Sequence, residues 1–254
     1  MNAQSVLAQL VKLGALTSNE GVVHHVAQDA WLQDELQQSQ LQHQQDAEGN
    51  HWITLPGTDA RSVVLGSYLQ PSGSDPLQQQ LSLVVGLETL KALAQRDGGH
   101  PPCTLKLVVW AAGTDQGESA VAALRQQNVA AYLELQVVTS PVAGQTSTLL
   151  SVVRLEPVEA SPRLAALCEE AILEMTGVAA ASSPGLASHA ATIAAAGIPV
   201  AAMSVSSGSG EGASRLHLLE AAEAFGRWAE ATLHLVAGDA VDLWAREHRT
   251  PHLG

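Results

Sequence analysis

The sequence predicts one three-layer α/β/α sandwich: a mostly parallel, twisted sheet with helices on both faces. Three observations predict it. Apolar runs of strand length alternate with amphipathic stretches of helix length. The strand runs are continuously apolar, as in sheets buried on both sides. The length of 254 residues suits one large α/β domain or two small ones, and since no internal repeat or long linker divides it, one domain over 1–254 is expected.

The elements follow in order. Gln37, Gln38, Gln40, Gln42, Gln44 and Gln45 read as the solvated face of a helix after Trp31. Residues 62–68 (SVVLGSY) read as a buried strand. Residues 79–95 (QQLSLVVGLETLKALAQ) read as a helix that ends at the Asp97-Gly98-Gly99 breaker. A strand at 104–111 (TLKLVVWA), a helix at 117–128 and a strand at 131–138 (AYLELQVV) come next, with a turn at Ser140-Pro141. A strand at 150–155 and helices at 163–176 and about 187–197 precede a strand at 199–206. A long amphipathic helix spans 215–237. Every glutamine lies at or before Gln145, and alanine dominates the C-terminal part.

Composition excludes several functions. Hydrophobic residues at 46% against 15% charged residues rule out global disorder. A net charge of −13 and a pI near 5.0 leave no basic footprint for nucleic acid and would be repelled by anionic membranes. No apolar run reaches the roughly 18–20 residues of a membrane span. The opening MNAQSVLAQLVKLGAL has neither a basic head nor a small-residue cleavage site, so a cytoplasmic protein is expected. Cys103 and Cys168 cannot build a disulfide framework or a four-cysteine zinc site, and both read as inert packing.

In such a sheet, ligands gather at the C-terminal ends of the strands. Those ends are Tyr68 to Gln70, Asp115 to Glu118, Gln136 onward, and the turn after Val205.

Five segments at and around these ends, VVLGSYLQ (63–70), LVVGLETLK (83–91), VVWAAGTDQG (108–117), AYLELQVVTSPV (131–142) and ASHAATIAAAGIP (187–199), together resemble, in order, the zinc or manganese amidohydrolases that include N-carbamoyl-L-amino-acid hydrolases and allantoate amidohydrolases, in the aminoacylase-type metallopeptidase superfamily. Residues 63–70 (VVLGSYLQ) resemble the family's strand ending Gly-Ser-His-x-Asp, and 83–91 (LVVGLETLK) its helix reading Gly-Val-x-Ala-Gly-Leu-Glu. Residues 108–117 (VVWAAGTDQG) resemble the strand ending Glu-Glu-Gly. The most specific match is 131–142 (AYLELQVVTSPV), against Ala-Tyr-Leu-Glu-Leu-His-Ile-Glu-Gln-Gly-Pro-Val. Residues 187–199 (ASHAATIAAAGIP) resemble the Ala-Gly-His-Asp-Ala segment. The resemblance implies a zinc-peptidase-like catalytic domain.

The departures fall on the chemistry. By the resemblance, the first metal histidine falls on Tyr68, its orienting aspartate on Gln70 and the bridging aspartate on Gln78. The general-base glutamate falls on Asp115, the neighbouring metal glutamate on Gln116, and a further metal histidine on Gln136. The last metal histidine should lie within 207–215 (SGSGEGASR), which contains none. Zinc needs anionic carboxylates and neutral imidazoles at about 2.0–2.2 Å. Glutamine offers only a neutral carbonyl, and tyrosine would first have to lose a proton of pKa roughly 10. The family's lid and dimerisation domain, expected at about 143–149, has no sequence to form it. No metal or cofactor is expected, and either a monomer or an interface unlike the family's.

Two readings of the altered site remain open. Gln70, Gln78, Gln116 and Gln136 form either a mutually hydrogen-bonded plug or a ligand-binding pocket without metal. Asp115, Tyr68 and His189 have the side-chain types for metal-free proton transfer. His24-His25, His43, His51, His248 and His252 read as scattered rather than chelating, and Gly208 to Gly212 as a connector without a P-loop lysine. The leading expectation is a non-hydrolytic homologue that binds a small amino-acid-like ligand or a protein partner. The alternative is a metal-independent enzyme of acyl transfer, cyclisation or isomerisation. Residual amide or ureido hydrolysis ranks last.

Overall fold

The computed structural model describes residues 3–17, 24–37, 39, 41–68, 76–96, 100–111, 116–140, 149–154, 161–177, 181–184, 189–208 and 215–247. Among the described residues eight strands form one sheet: β1 (Gln42–Gln45), β2 (His51–Leu55), β3 (Asp59–Tyr68), β4 (Cys103–Trp110), β5 (Val129–Ser140), β6 (Leu149–Arg154), β7 (Ala181–Pro184) and β8 (Val200–Gly208). Their order is β1-β2-β4-β3-β5-β8-β6-β7. The centre, β4-β3-β5-β8, is parallel. β2 and β6 pair antiparallel with that centre.

Side-chain alternation divides the core between the two faces. Leu65, Leu107, Leu133 and Met203 face one large cluster with α1 (Ala3–Thr17), α3 (Pro76–Ala94), α5 (Pro162–Thr176) and α7 (Arg215–Glu247). Val64, Val108, Tyr132 and Ala202 face a smaller cluster under α4 (Gln116–Arg125) and α6 (His189–Ala195). The α/β/α sandwich read from the sequence is therefore the fold. Its strands at 62–68, 104–111, 131–138, 150–155 and 199–206 match β3, β4, β5, β6 and β8. Among the described residues no helix is long and apolar enough to cross a membrane.

The glutamine-rich stretch departs from expectation. The helix after Trp31 is α2 (His24–Gln37), and it stops there. Gln42, Gln44 and Gln45 lie on β1, solvated but extended. Gln38 and Gln40 lie outside the described residues. Asp46 explains the change. Its carboxylate accepts hydrogen bonds from the Glu48 and Asn50 backbone N–H groups (3.0 and 2.9 Å) and from Trp52 Nε1 (2.8 Å). Gly49 then adopts a φ of 85°, which closes the β1–β2 hairpin. That local turn chemistry overrides the weak helical preference of glutamine.

A polar cluster joins α1, α2 and α3. Lys91 reaches Glu35 at 2.9 Å and Glu88 at 3.0 Å, and both carboxylates are buried. Gln9 donates to Glu35 at 2.6 Å while accepting from Trp31 Nε1, and Ser5 donates to Glu88 at 2.6 Å. Lys12 spans Asp34 and Glu35 at the rim.

On the large-cluster side, Trp228 is fully buried and donates its indole N–H to the Cys168 carbonyl at 2.9 Å. Burial pushes the Cys168 thiol far up and the Cys103 thiol to about 11. Neither is a ready nucleophile near neutrality.

Candidate functional site

The parallel centre of the sheet ends in one shared edge. Tyr68 is in register with Trp110, Gly66 with Glu134, Gln136 with Ser204, and Ser140 with Gly208. Helix α3 follows β3, α4 follows β4, and α6 leads into β8, so their N-termini reach this same edge. The topology therefore gathers the backbone positions of Tyr68, Gln78, Gln116, Gln136 and His189 there. Gln70 and Asp115 lie outside the described residues, Asp115 immediately before α4.

Beneath the edge is an aromatic floor. Trp110 Nε1 donates to the hydroxyl of the fully buried Tyr132 at 3.1 Å. Burial first, then nearby Glu134, raises the Tyr132 pKa well above the ordinary phenol value, against the opposing Trp110 bond. Trp52 packs edge-to-face on Trp110, with centroids 5.8 Å apart. Gly66 makes room for this: a Cβ there would meet the Tyr132 hydroxyl at 1.8 Å.

Above the floor sits Glu134, fully buried. One carboxylate oxygen accepts from the Ala190 backbone N–H at the start of α6, at 2.9 Å. The other accepts from Gln136 Nε2 at 2.5 Å. Gln136 is thus paired with a carboxylate, and its Oε1 is buried without a hydrogen-bond partner. Glu134 is the residue that sequence reasoning passed over. Its signal was present: it is the lone acid within the largely apolar strand AYLELQVV.

The structure corrects the reading of His43 and His51 as scattered, because they meet. The antiparallel hairpin sets His43 diagonally across from His51, on one face of β1 and β2. His43 Nε2 and His51 Nδ1 are 3.0 Å apart, and the ring planes differ by 7°. That distance plus one ring radius at each end accounts for the 5.2 Å between centroids, so the rings meet end to end rather than stacking. Asp29 Oδ1 lies 3.2 Å from His51 Nε2, off the hydrogen-bond axis.

An N–H···N bond needs one donor and one acceptor, so both rings cannot be protonated within it. Burial first, then His51, lowers the His43 pKa below 6.5, against the pull of Asp29. The folded state thus prefers neutral His43. Its contribution is complete above the ordinary imidazole pKa and is lost as pH falls below it. Urea midpoints should therefore drop between about pH 7.5 and about pH 5.5, and His43→Gln should flatten that dependence. An unchanged slope in the variant would remove this role.

Among the described residues no group of three or more His, Cys, Asp or Glu side chains could hold a metal ion. No protein-family model matches the sequence, and no curated protein matches it. Solved structures do match. The LapA aminopeptidase of Legionella pneumophila superposes with a TM-score of 0.71 at 13% identity, over 93% of this chain and 72% of that one. An amidase of the hydantoinase/carbamoylase family from Burkholderia phymatum gives 0.70 at 12%, over 96% and 98%. A glutaminyl cyclase from an Acidobacteriales bacterium gives 0.63 at 14%, over 96% and 95%. At these identities the likeness is one of fold, that of the zinc-peptidase-like catalytic domain.

Proposed function

We propose that this chain is a non-hydrolytic relative of the amidases and aminopeptidases whose fold it shares, and that it binds a small amino-acid-like ligand at the C-terminal edge of its sheet without a metal. The observation that carries this reading is Gln136. By the resemblance it occupies a metal histidine's position, and it is an amide whose nitrogen is engaged by Glu134. That donor set does not suit zinc. The engaged nitrogen has no lone pair to offer, and the amide oxygen is neutral. Tyr68, Gln78 and Gln116, also at ligand positions by the resemblance, add no anionic carboxylate or imidazole. Without a metal to acidify it, water near neutral pH is a poor nucleophile toward an amide or ureido bond.

Domain organisation supports the same reading. Residues 141–148 alone link β5 to β6, where the resembling family carries its lid. A lidless domain predicts a monomer in light scattering, or a dimer through some other surface. The test of function adds zinc or manganese together with an N-carbamoyl amino acid or a dipeptide. The expected result is no product and no thermal shift from the metal. Metal-dependent product that a chelator abolishes would overturn the reading.

A second reading is metal-independent acyl transfer, cyclisation or isomerisation by Asp115, Tyr68 and His189; the glutaminyl cyclase among the matching folds bears on cyclisation alone. This second reading requires turnover that Asp115→Asn or His189→Gln removes from a folded protein.

A further inference from the structure

We infer that the ligand is recognised through a hydrogen-bond donor, an amide or ammonium N–H, delivered to Oε1 of Gln136. This deepens the binding reading above and rests on it. Glu134 orients the Gln136 amide. Its two oxygens take the Ala190 N–H at 2.9 Å and Gln136 Nε2 at 2.5 Å. An ionised carboxylate only accepts hydrogen bonds, so it selects which end of the Gln136 amide turns toward it. The NH2 end faces Glu134, and the oxygen is left to the other side.

That oxygen is buried and has no hydrogen-bond partner. Desolvated acceptors of this kind are rare in native proteins and call for an explanation by a ligand or an ordered water. The position favours a ligand. Gln136 pairs in register with Ser204 level with the C-terminal ends of β3 and β4, while β5 and β8 run on to Ser140 and Gly208, so it stands beside the edge at which α/β sheets hold small molecules. What the oxygen lacks is a donor. A carboxylate group brings only acceptors, and it would also approach Glu134 in a chain of net charge −13. A primary amide or an ammonium group supplies the missing N–H and suffers no such repulsion.

The test uses the full chain, kept in chelator, with propionamide, N,N-dimethylpropionamide and propionate as probes. Binding is followed by NMR on the backbone amides of β5, which Gln136→Met retains. Propionamide should bind about tenfold more tightly than its dimethyl analogue, since a buried acceptor left unpaired is the larger penalty. Propionate should bind more weakly than propionamide. Gln136→Met, close in volume but without the acceptor, should abolish the preference. Equal affinities, tighter propionate, or a preference retained in folded Gln136→Met would overturn the inference. So would silence toward all three probes, which would leave a buried water as the partner of Oε1. The comparison of probes on unaltered protein stands even if the variant fails to fold. Failure here is also separable from failure of the binding reading, which turns on metal uptake and hydrolysis.

Discussion

Gly66→Ala is expected to destabilise the domain by about 3 kcal/mol or more, at the upper end of what overpacking a core costs. The new methyl would lie 1.8 Å from the Tyr132 hydroxyl, 2.4 Å from its ring carbon Cζ and 2.9 Å from Cε2. Tyr132 has nowhere to go. It is fully buried on β5, tied by its hydroxyl to Trp110 and packed with Val64 and Val108 under α4 and α6. Accommodation requires β3 and β5 to move apart or the tyrosine to leave its rotamer. Tyr132→Phe alone should cost about 1–3 kcal/mol, because it takes from the buried Trp110 Nε1–H the hydroxyl it donates to. In the double variant the rescue should be partial, because Cζ remains too close once the oxygen is gone. Urea unfolding followed by tryptophan fluorescence reads all three proteins. A Gly66→Ala protein as stable as the parent would show that Tyr132 is not held as described.

Lys91→Met is expected to cost about 3–5 kcal/mol near pH 7, because it leaves buried carboxylates without their shared cation. Glu35 and Glu88 are 5% and 8% exposed, and Lys91 lies within 3.0 Å of both. Ser5, Gln9 and Lys12 keep some of their hydrogen bonds, which sets the lower end of that range. Acid should shrink the difference. Burial pushes the Glu35 pKa up, but the hydrogen bonds from Lys91 and Lys12 outweigh it and hold the carboxyl below its ordinary value of 4.5. A lowered carboxyl pKa gives stability that is present above the unfolded value and lost as pH falls through the folded one. The parent should therefore lose stability on acidification below pH 4.5, and the variant, already without the Lys91 bond, should lose less. Glu35→Gln added to Lys91→Met should recover part of the loss. Parallel pH profiles for parent and variant would contradict this account.

The central sheet was legible because β3, β4, β5 and β8 are buried on both faces, so their apolar runs needed no long-range information. The first helix was not read, because Ala3–Thr17 gains its role from packing against α3 and α7. β1 failed for a different reason. Nothing within QHQQ is apolar, and its extended form comes from the Asp46 turn and from pairing with β2. The candidate edge was legible as a set of backbone positions, since Tyr68 ends β3, Gln116 and His189 start α4 and α6, and Gln136 lies on β5 two residues beyond the Gly66–Glu134 pair. Its internal wiring was not. That Glu134 would hold Gln136, and that a hairpin would join His43 to His51, depends on alternation and register across strands.

The measurement that bears most directly on the central claim is the metal content of protein purified without chelators, by plasma mass spectrometry, followed by melting with added zinc and manganese. The expected result is no stoichiometric metal and no shift in melting temperature. About one or two equivalents of metal with clear stabilisation, as linkage requires of a ligand that prefers the folded state, would contradict it. Gln78, Gln116 and Gln136 would then no longer mark an emptied site, and the chain would be a hydrolase again.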